Sequence, residues 1–374
     1  MSDFIRSLPG HERSLKAHWL HSIHIDPILL LLLLAVMGYG LVVLYSAVDA
    51  SQSMFQAQII RLGVAMVALV IAAQLPPQFY ARWAPYIFLL GIGLLILVLL
   101  FGVTVNGSKR WLDIPGLLRF QPSELMKIAV PMAVAWYFHD KPLPPTFKDV
   151  VIALGIIMIP AGLIVAQPDL GTGILVAAAG MAVVVLAGLS WRWVMYAGLA
   201  LAAAAPALWF SLREYQQQRI LTLFDPESDP LGAGWNIIQS TTAIGSGGIS
   251  GKGLLQGTQS HLDFLPEAQT DFIIAVIGEE LGLLGVLLLL FLYLAVICRG
   301  LFLAVSAEST FGRLLSGALI LTFFVYLFVN IAMVSGLLPV VGVPLPLVSY
   351  GGTSALTLLA GFGIIMAIRT HKAW

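Results

Sequence analysis

The chain has 374 residues, 59% of them hydrophobic and only 10% charged, with formal charges that cancel to zero. That balance excludes an ordinary soluble domain and points to an all-α polytopic membrane protein. Zero net charge gives no bulk attraction for nucleic acid, and one cysteine, Cys298, excludes an intrachain disulfide and a cysteine metal cage.

Residues 1–26 are too long and polar for the start of a signal peptide, so they read as an N-terminal segment before a retained helix. Apolar runs long enough to span, or nearly so, follow at about 27–47, 55–75, 84–104, 122–138, 149–166, 171–189, 193–210, 272–298, 312–334 and 346–368. They predict about ten transmembrane helices in a single integral membrane domain, both termini on one side. The short fourth run carries Glu124 and Lys127. Arg6, Arg13, Lys16, Arg82, Lys141, Lys148, Arg192, Arg299, Arg313, Arg369 and Lys372 cluster on the side of the termini. The short loops at 48–53, 167–170 and 335–345 carry no Lys or Arg. By the positive-inside rule both termini are cytoplasmic. Two larger segments, 105–121 and 211–271, are then extracytoplasmic loops, the second preceding helix eight.

Arg61 lies inside the second run and must face a cavity or an acid rather than lipid. The loop at 105–121 holds Lys109, Arg110, Trp111 and Arg119 on the side that the rule keeps poor in cations, which suggests an anionic ligand there. An interfacial segment, with Trp111 as a belt aromatic, is the plainer structural reading. Pro122 suits the first turn of a helix, and Glu124 and Lys127, three apart, can pair on one face. Asp169 follows Pro168 at a helix junction, where a capping role is the simpler reading. Arg219 lies in the 211–271 loop.

Residues 231–257 are dense in glycine but fail the Walker pattern at Ser246 and Gly253. A mobile or re-entrant loop over a cavity fits better. Asp271 stands where that polar loop meets the eighth apolar run. A first-turn acid satisfying the helix dipole is the structural alternative. Its neighbours Asp263, Pro266 and Glu267, and the Glu279–Glu280 pair further along the run, favour a functional carboxylate. Near the C-terminus Pro339, Pro344 and Pro346 with several glycines break the last spanning region and bring Ser349 and Tyr350 to the break. No metal motif stands out.

These segments resemble the SEDS family (shape, elongation, division and sporulation proteins). They read RW at 110–111, QPSELMK at 121–127, QPDLGT at 167–172, DPLGAGWNIIQS at 229–240, LPEAQTDFIIAVIGEELG at 265–282 and LPLVSYGGTS at 345–354. SGGISGKG and LLPVVGVPLPLVSYGG resemble the elongation branch rather than the division branch. Gln269 departs from the many relatives that carry His there, which tells against a proton-carrying role for that side chain. The resemblance implies a peptidoglycan glycosyltransferase polymerising lipid II into β-1,4 glycan strands at the outer face of the cytoplasmic membrane, with a class B penicillin-binding protein and the elongation machinery as partners. Asp271 matches the family's essential aspartate and Trp111 another position that relatives need.

For such a reaction one base takes the proton of the acceptor hydroxyl and cations neutralise the leaving pyrophosphate. Asp271 is the expected base. Arg61, Lys109, Arg110, Trp111, Arg119, Glu124, Lys127, Asp169, Arg219 and Ser349 are the expected substrate-binding or supporting residues. No cofactor is required, and a divalent Mg or Mn ion at the pyrophosphate stays open. A lipid II flippase or other transporter is the alternative reading, and a non-catalytic scaffold is a third.

Overall fold

The computed structural model describes residues 23–105, 108–112, 121–212, 214–229, 232–261 and 267–371. The N-terminal segment up to residue 22, Arg119, Asp263 and Pro266 lie outside the described residues. Every apolar run became a helix: α1 (Pro27–Ala47), α2 (Gln52–Gln74), α3 (Pro77–Phe101), α4 (Pro122–Phe138), α5 (Phe147–Ala166), α6 (Leu170–Leu186) and α7 (Trp191–Ser211). Two helices of the long loop follow, α8 (Glu214–Phe224) and α9 (Ala233–Ser246), then the short α10 (Thr258–His261). The chain closes with α11 (Ile273–Val305), α12 (Thr310–Val334) and α13 (Thr353–Thr370). The first loop is not wholly irregular: β1 (Val103–Val105) and β2 (Ser108–Trp111) pair antiparallel beyond α3.

Seven helices (α1, α2, α3, α5, α11, α12 and α13) are long and apolar enough to cross a membrane, and α6 is a shorter apolar helix. Leu31, Leu90 and Phe291 point outward from three of them. Such an oily exterior is what lipid, not water, would solvate. α4 sits at the centre with nearly every side chain buried, which is why its charges need partners. α13 lies so close along α2 that a Cβ on Gly363 would stand 2.3 Å from Leu69 O. α7, by contrast, leaves nearly all its described side chains exposed, touching α5 through the stacked rings of Phe147 and Trp193, 4.9 Å apart.

The eighth run is not one uniform span. Gly282 adopts φ 65, ψ −162 inside α11 and kinks it, a conformation closed to most L side chains. Glu280 accepts a bond from Ser46 Oγ at 2.8 Å, beside the last residue of α1. At the far end Arg299 grips Asp26, the N-cap of α1, through Nη2 at 2.6 Å and Nε at 3.1 Å. Roughly 28 Å of helix separates the two pins at about 1.5 Å per residue, close to the ~30 Å hydrocarbon thickness. The two acids therefore sit at the kink, level with the Ala47 end of α1, rather than deep in a span.

Both acids have structural work. Glu279 is fully buried. It receives Lys252 Nζ at 2.7 Å, Thr258 N at 2.8 Å and Gln259 N at 3.1 Å. The backbone N–H groups of Lys252 and Gly253 donate to Glu279 O and Glu280 O. The glycine-rich turn is thus pinned onto the kink and is not a mobile cover. A Cβ on Gly251 would stand 2.1 Å from Glu280 O. These glycines admit the chain's own helix and not a bulky ligand.

Candidate active site

Three prolines decide the local architecture. Pro339, Pro344 and Pro346 cannot donate to a helix ladder, so the chain between α12 and α13 runs as irregular backbone. Its bonds go elsewhere, to the turn that ends at Phe272. Tyr350 N donates to Gln269 O at 2.8 Å. Ser349 Oγ donates to Thr270 O, and Leu345 N donates back to Ser349 Oγ at 2.8 Å. Asn330 Nδ2 of α12 donates to Asp271 O at 2.8 Å and to Val343 O at 2.7 Å. Three successive carbonyls of the Asp271 turn are therefore held by three different groups. From α2, Gln58 Nε2 donates to Ser349 O at 3.2 Å and Gln58 Oε1 accepts from Gly351 N. The Arg61 guanidinium lies 4.4 Å over the Tyr350 ring.

The Asp271 carboxylate faces Gly342, whose missing Cβ would stand 3.4 Å from Oδ2. Gly342 has φ 73, so a side chain there would be strained and in van der Waals contact with the acid. Asp271 is partly exposed and in no ion pair among the described residues. Burial pushes its carboxyl up to about 6, and the negative charge of Glu267 pushes the same way.

One residue along the chain from Gly342, Val341 lines a cavity of about 510 Å³ whose walls also include Arg110, Asp169, Gln216 and Arg219. Val341 adjoins Gly342, so the cavity wall and the partner of Asp271 are consecutive residues. Arg110 Nη2 donates to Pro168 O at 3.2 Å, and its Nε lies 3.6 Å from Asp169 Oδ2. Asp169 also accepts from Gln121 Nε2 at 3.3 Å and caps α6 through Thr172 N at 3.2 Å. One carboxylate thus fills the expected capping role and also faces the Arg110 guanidinium. Among the described residues no group of three His, Cys, Asp or Glu could hold a metal. A Mg ion carried on pyrophosphate oxygens needs no such cage.

This frame has known counterparts. Residues 26–373 match the FtsW–RodA–SpoVE family, described as a cell cycle protein. The chain belongs to that family. It is 54% identical to the peptidoglycan glycosyltransferase MrdB of Escherichia coli K12 over 96% of each chain. It is similar to one chain of a solved structure described as the structural coordination of polymerization and crosslinking by a peptidoglycan synthase complex. That match has a TM-score of 0.81 and 31% identity, covering 92% of this chain and 97% of the other. The crystal structure of the Thermus thermophilus rod shape determining protein RodA matches with a TM-score of 0.70 at 27% identity, covering 92% and 96%. The expected likeness to RodA within the family is borne out.

In this FtsW–RodA–SpoVE chain the structure gathers some of the expected residues and separates others. Arg110, Asp169 and Arg219 share the cavity, and Arg61 approaches the Asp271 turn through Tyr350 rather than through an acid. Ser349 is a corner brace: its hydroxyl is used once as donor and once as acceptor between backbone groups, and it is not among the residues that line the cavity. Lys109 is exposed, its amine 3.5 Å from Leu100 O, and Trp111 ends β2 half-buried. Sequence reading missed Asn330 and Gln58. A carboxamide inside the apolar α12 is itself a signal, since polar groups in spanning helices need partners.

Glu124 and Lys127 form a buried pair at 2.5 Å, with the ammonium 4.7 Å over the Tyr326 ring. They line a small separate hollow of about 20 Å³ with Ser354 and Thr357, large enough for one water molecule. They brace α4 and do not share the cavity of Arg110. Lys127→Met should cost about 3–5 kcal/mol, because it strands a buried carboxylate. Adding Glu124→Gln to it should recover most of that loss. Thermal unfolding of both purified variants in detergent checks this, and equal instability of the two would contradict the pairing.

Proposed function

We propose that this chain is a peptidoglycan glycosyltransferase that polymerises lipid II, with Asp271 as general base. The supporting observation is a carboxyl pushed up to about 6 that faces Gly342, the neighbour in the chain of Val341, which lines a cavity carrying two arginines. The acceptor 4-hydroxyl attacks the donor sugar carbon and forms the new C–O bond. The bond to pyrophosphate breaks on the opposite face, so the carbon inverts. The hydroxyl proton passes to Asp271, and a carboxylate titrating near 6 is ionised at neutral pH yet basic enough to accept it. Arg110 and Arg219, with Arg61 as a third candidate, neutralise the departing diphosphate.

In this reading, which the positive-inside rule supports, the Ala47 end of α1 and the cavity lie on the periplasmic side of the bacterial inner membrane. A class B penicillin-binding protein and the elongation machinery are the partners in this reading.

The test is purified protein with labelled lipid II in proteoliposomes, alone and with the partner. Glycan ladders are expected. Flipping without ladders would support the transporter reading instead. The rate should also fall as pH drops through about 6, because only the ionised carboxylate accepts a proton; a limb near 4 would mean that an unperturbed acid is at work.

A further inference from the structure

We propose that Asn330 is a positioning residue for this reaction, fixing the Asp271 peptide so that the carboxylate stays turned toward Gly342 and the cavity wall. The inference rests on Asp271 acting as the base. Asn330 is fully buried on α12. Its two N–H groups go to Asp271 O at 2.8 Å and Val343 O at 2.7 Å. Both acceptors are carbonyls, which cannot donate, so the orientation of the amide is settled by chemistry. Its Oδ1 is buried with no hydrogen-bond partner among the described residues.

That unsatisfied oxygen argues against a packing role. A leucine of similar size would fill the space without burying an acceptor. What leucine cannot do is join two irregular segments that have no helix ladder between them. Val343 stands next to Gly342, so the same amide ties down both the acid and the backbone that the acid faces. Ser349 and Tyr350 hold the two preceding carbonyls, but Asn330 alone of the three bonds to an atom of Asp271 itself. Displacement of a reacting group by about 1 Å can cost on the order of 10²-fold in rate. Among the described residues, Glu267 lies within the turn and pushes the Asp271 carboxyl up, and Arg61 of α2 lies beyond the Tyr350 ring.

The experiment uses the full-length chain with labelled lipid II, comparing wild type, Asn330→Ala, Asn330→Asp and Asp271→Asn. Asn330→Ala should lose about 10–100-fold in kcat with KM within about twofold. Its pH limb should move below 6, since a loosened carboxylate gains solvent. Asn330→Asp, held protonated by burial against two carbonyl oxygens, keeps one donor and should lose less kcat than Asn330→Ala. Should Asn330→Ala not fold, Asn330→Ser, which keeps one donor, takes its place with the same expectations at smaller size. A folded Asn330→Ala with unchanged kcat and limb, while Asp271→Asn is dead, overturns this inference alone. Lower yield with unchanged rate per folded molecule also overturns it, by making the residue merely structural. Activity in Asp271→Asn overturns the base assignment and this inference together.

Discussion

Asp271→Asn should abolish glycan polymerisation, by about 10²–10⁴-fold in kcat, while the protein folds at least as well as the parent. Asparagine matches the shape of the acid and keeps the backbone bonds to the turn, so substrate binding changes little. What it lacks is a site for the proton of the attacking hydroxyl. The stability half of the expectation follows from the sign of the pKa shift. The folded-state value, about 6, lies above the value near 3.9 in an unfolded chain. The folded protein therefore holds this proton more tightly, and ionisation weakens the fold as pH rises from about 4 through 6. The penalty above pH 7 is on the order of 2–3 kcal/mol. Asp271→Asn removes it, so its unfolding midpoint at pH 8 should match or exceed that of the parent. An inactive variant with a lowered midpoint would mean that Asp271 holds the fold instead.

A large loss of stability is expected for Glu279→Ala. The carboxylate is completely buried and gathers Lys252, both donors of Thr258 and the backbone of Gln259. Its removal strands backbone N–H groups and unpairs a lysine, a change of about 3–5 kcal/mol for a buried pair. The glycine-rich turn should come away from the kink of α11. Thermal unfolding measures the first effect, and amide exchange across residues 247–261 the second. Unaltered exchange there would show that the backbone bonds to Glu279 O and Glu280 O hold the turn unaided.

The helices were legible because lipid demands long apolar stretches, and each stretch became one. The start of the last helix was not, since it hangs on Pro346 and a loop whose bonds go to the distant Asp271 turn. Nor was the kink: Gly282 among leucines looks like ordinary helix, and only the docking of Gly251 against Glu280 explains its positive φ. Glu279 and Glu280 were read as marks of function because acids in a spanning run are costly. Their partners, Lys252, Thr258 and Ser46, come from segments that periodicity cannot bring near. Asp271 was legible as a charge at the start of a helix, and Arg61 as one that had to find company. Asn330 was overlooked because its worth lies in two carbonyls far along the chain.

The triple hold on the Asp271 turn has a kinetic corollary. In the proposed mechanism the acid's backbone is bolted down at three neighbouring carbonyls, so the stroke of extension falls to the glycan and its lipid leash, sliding past a base that stays in place.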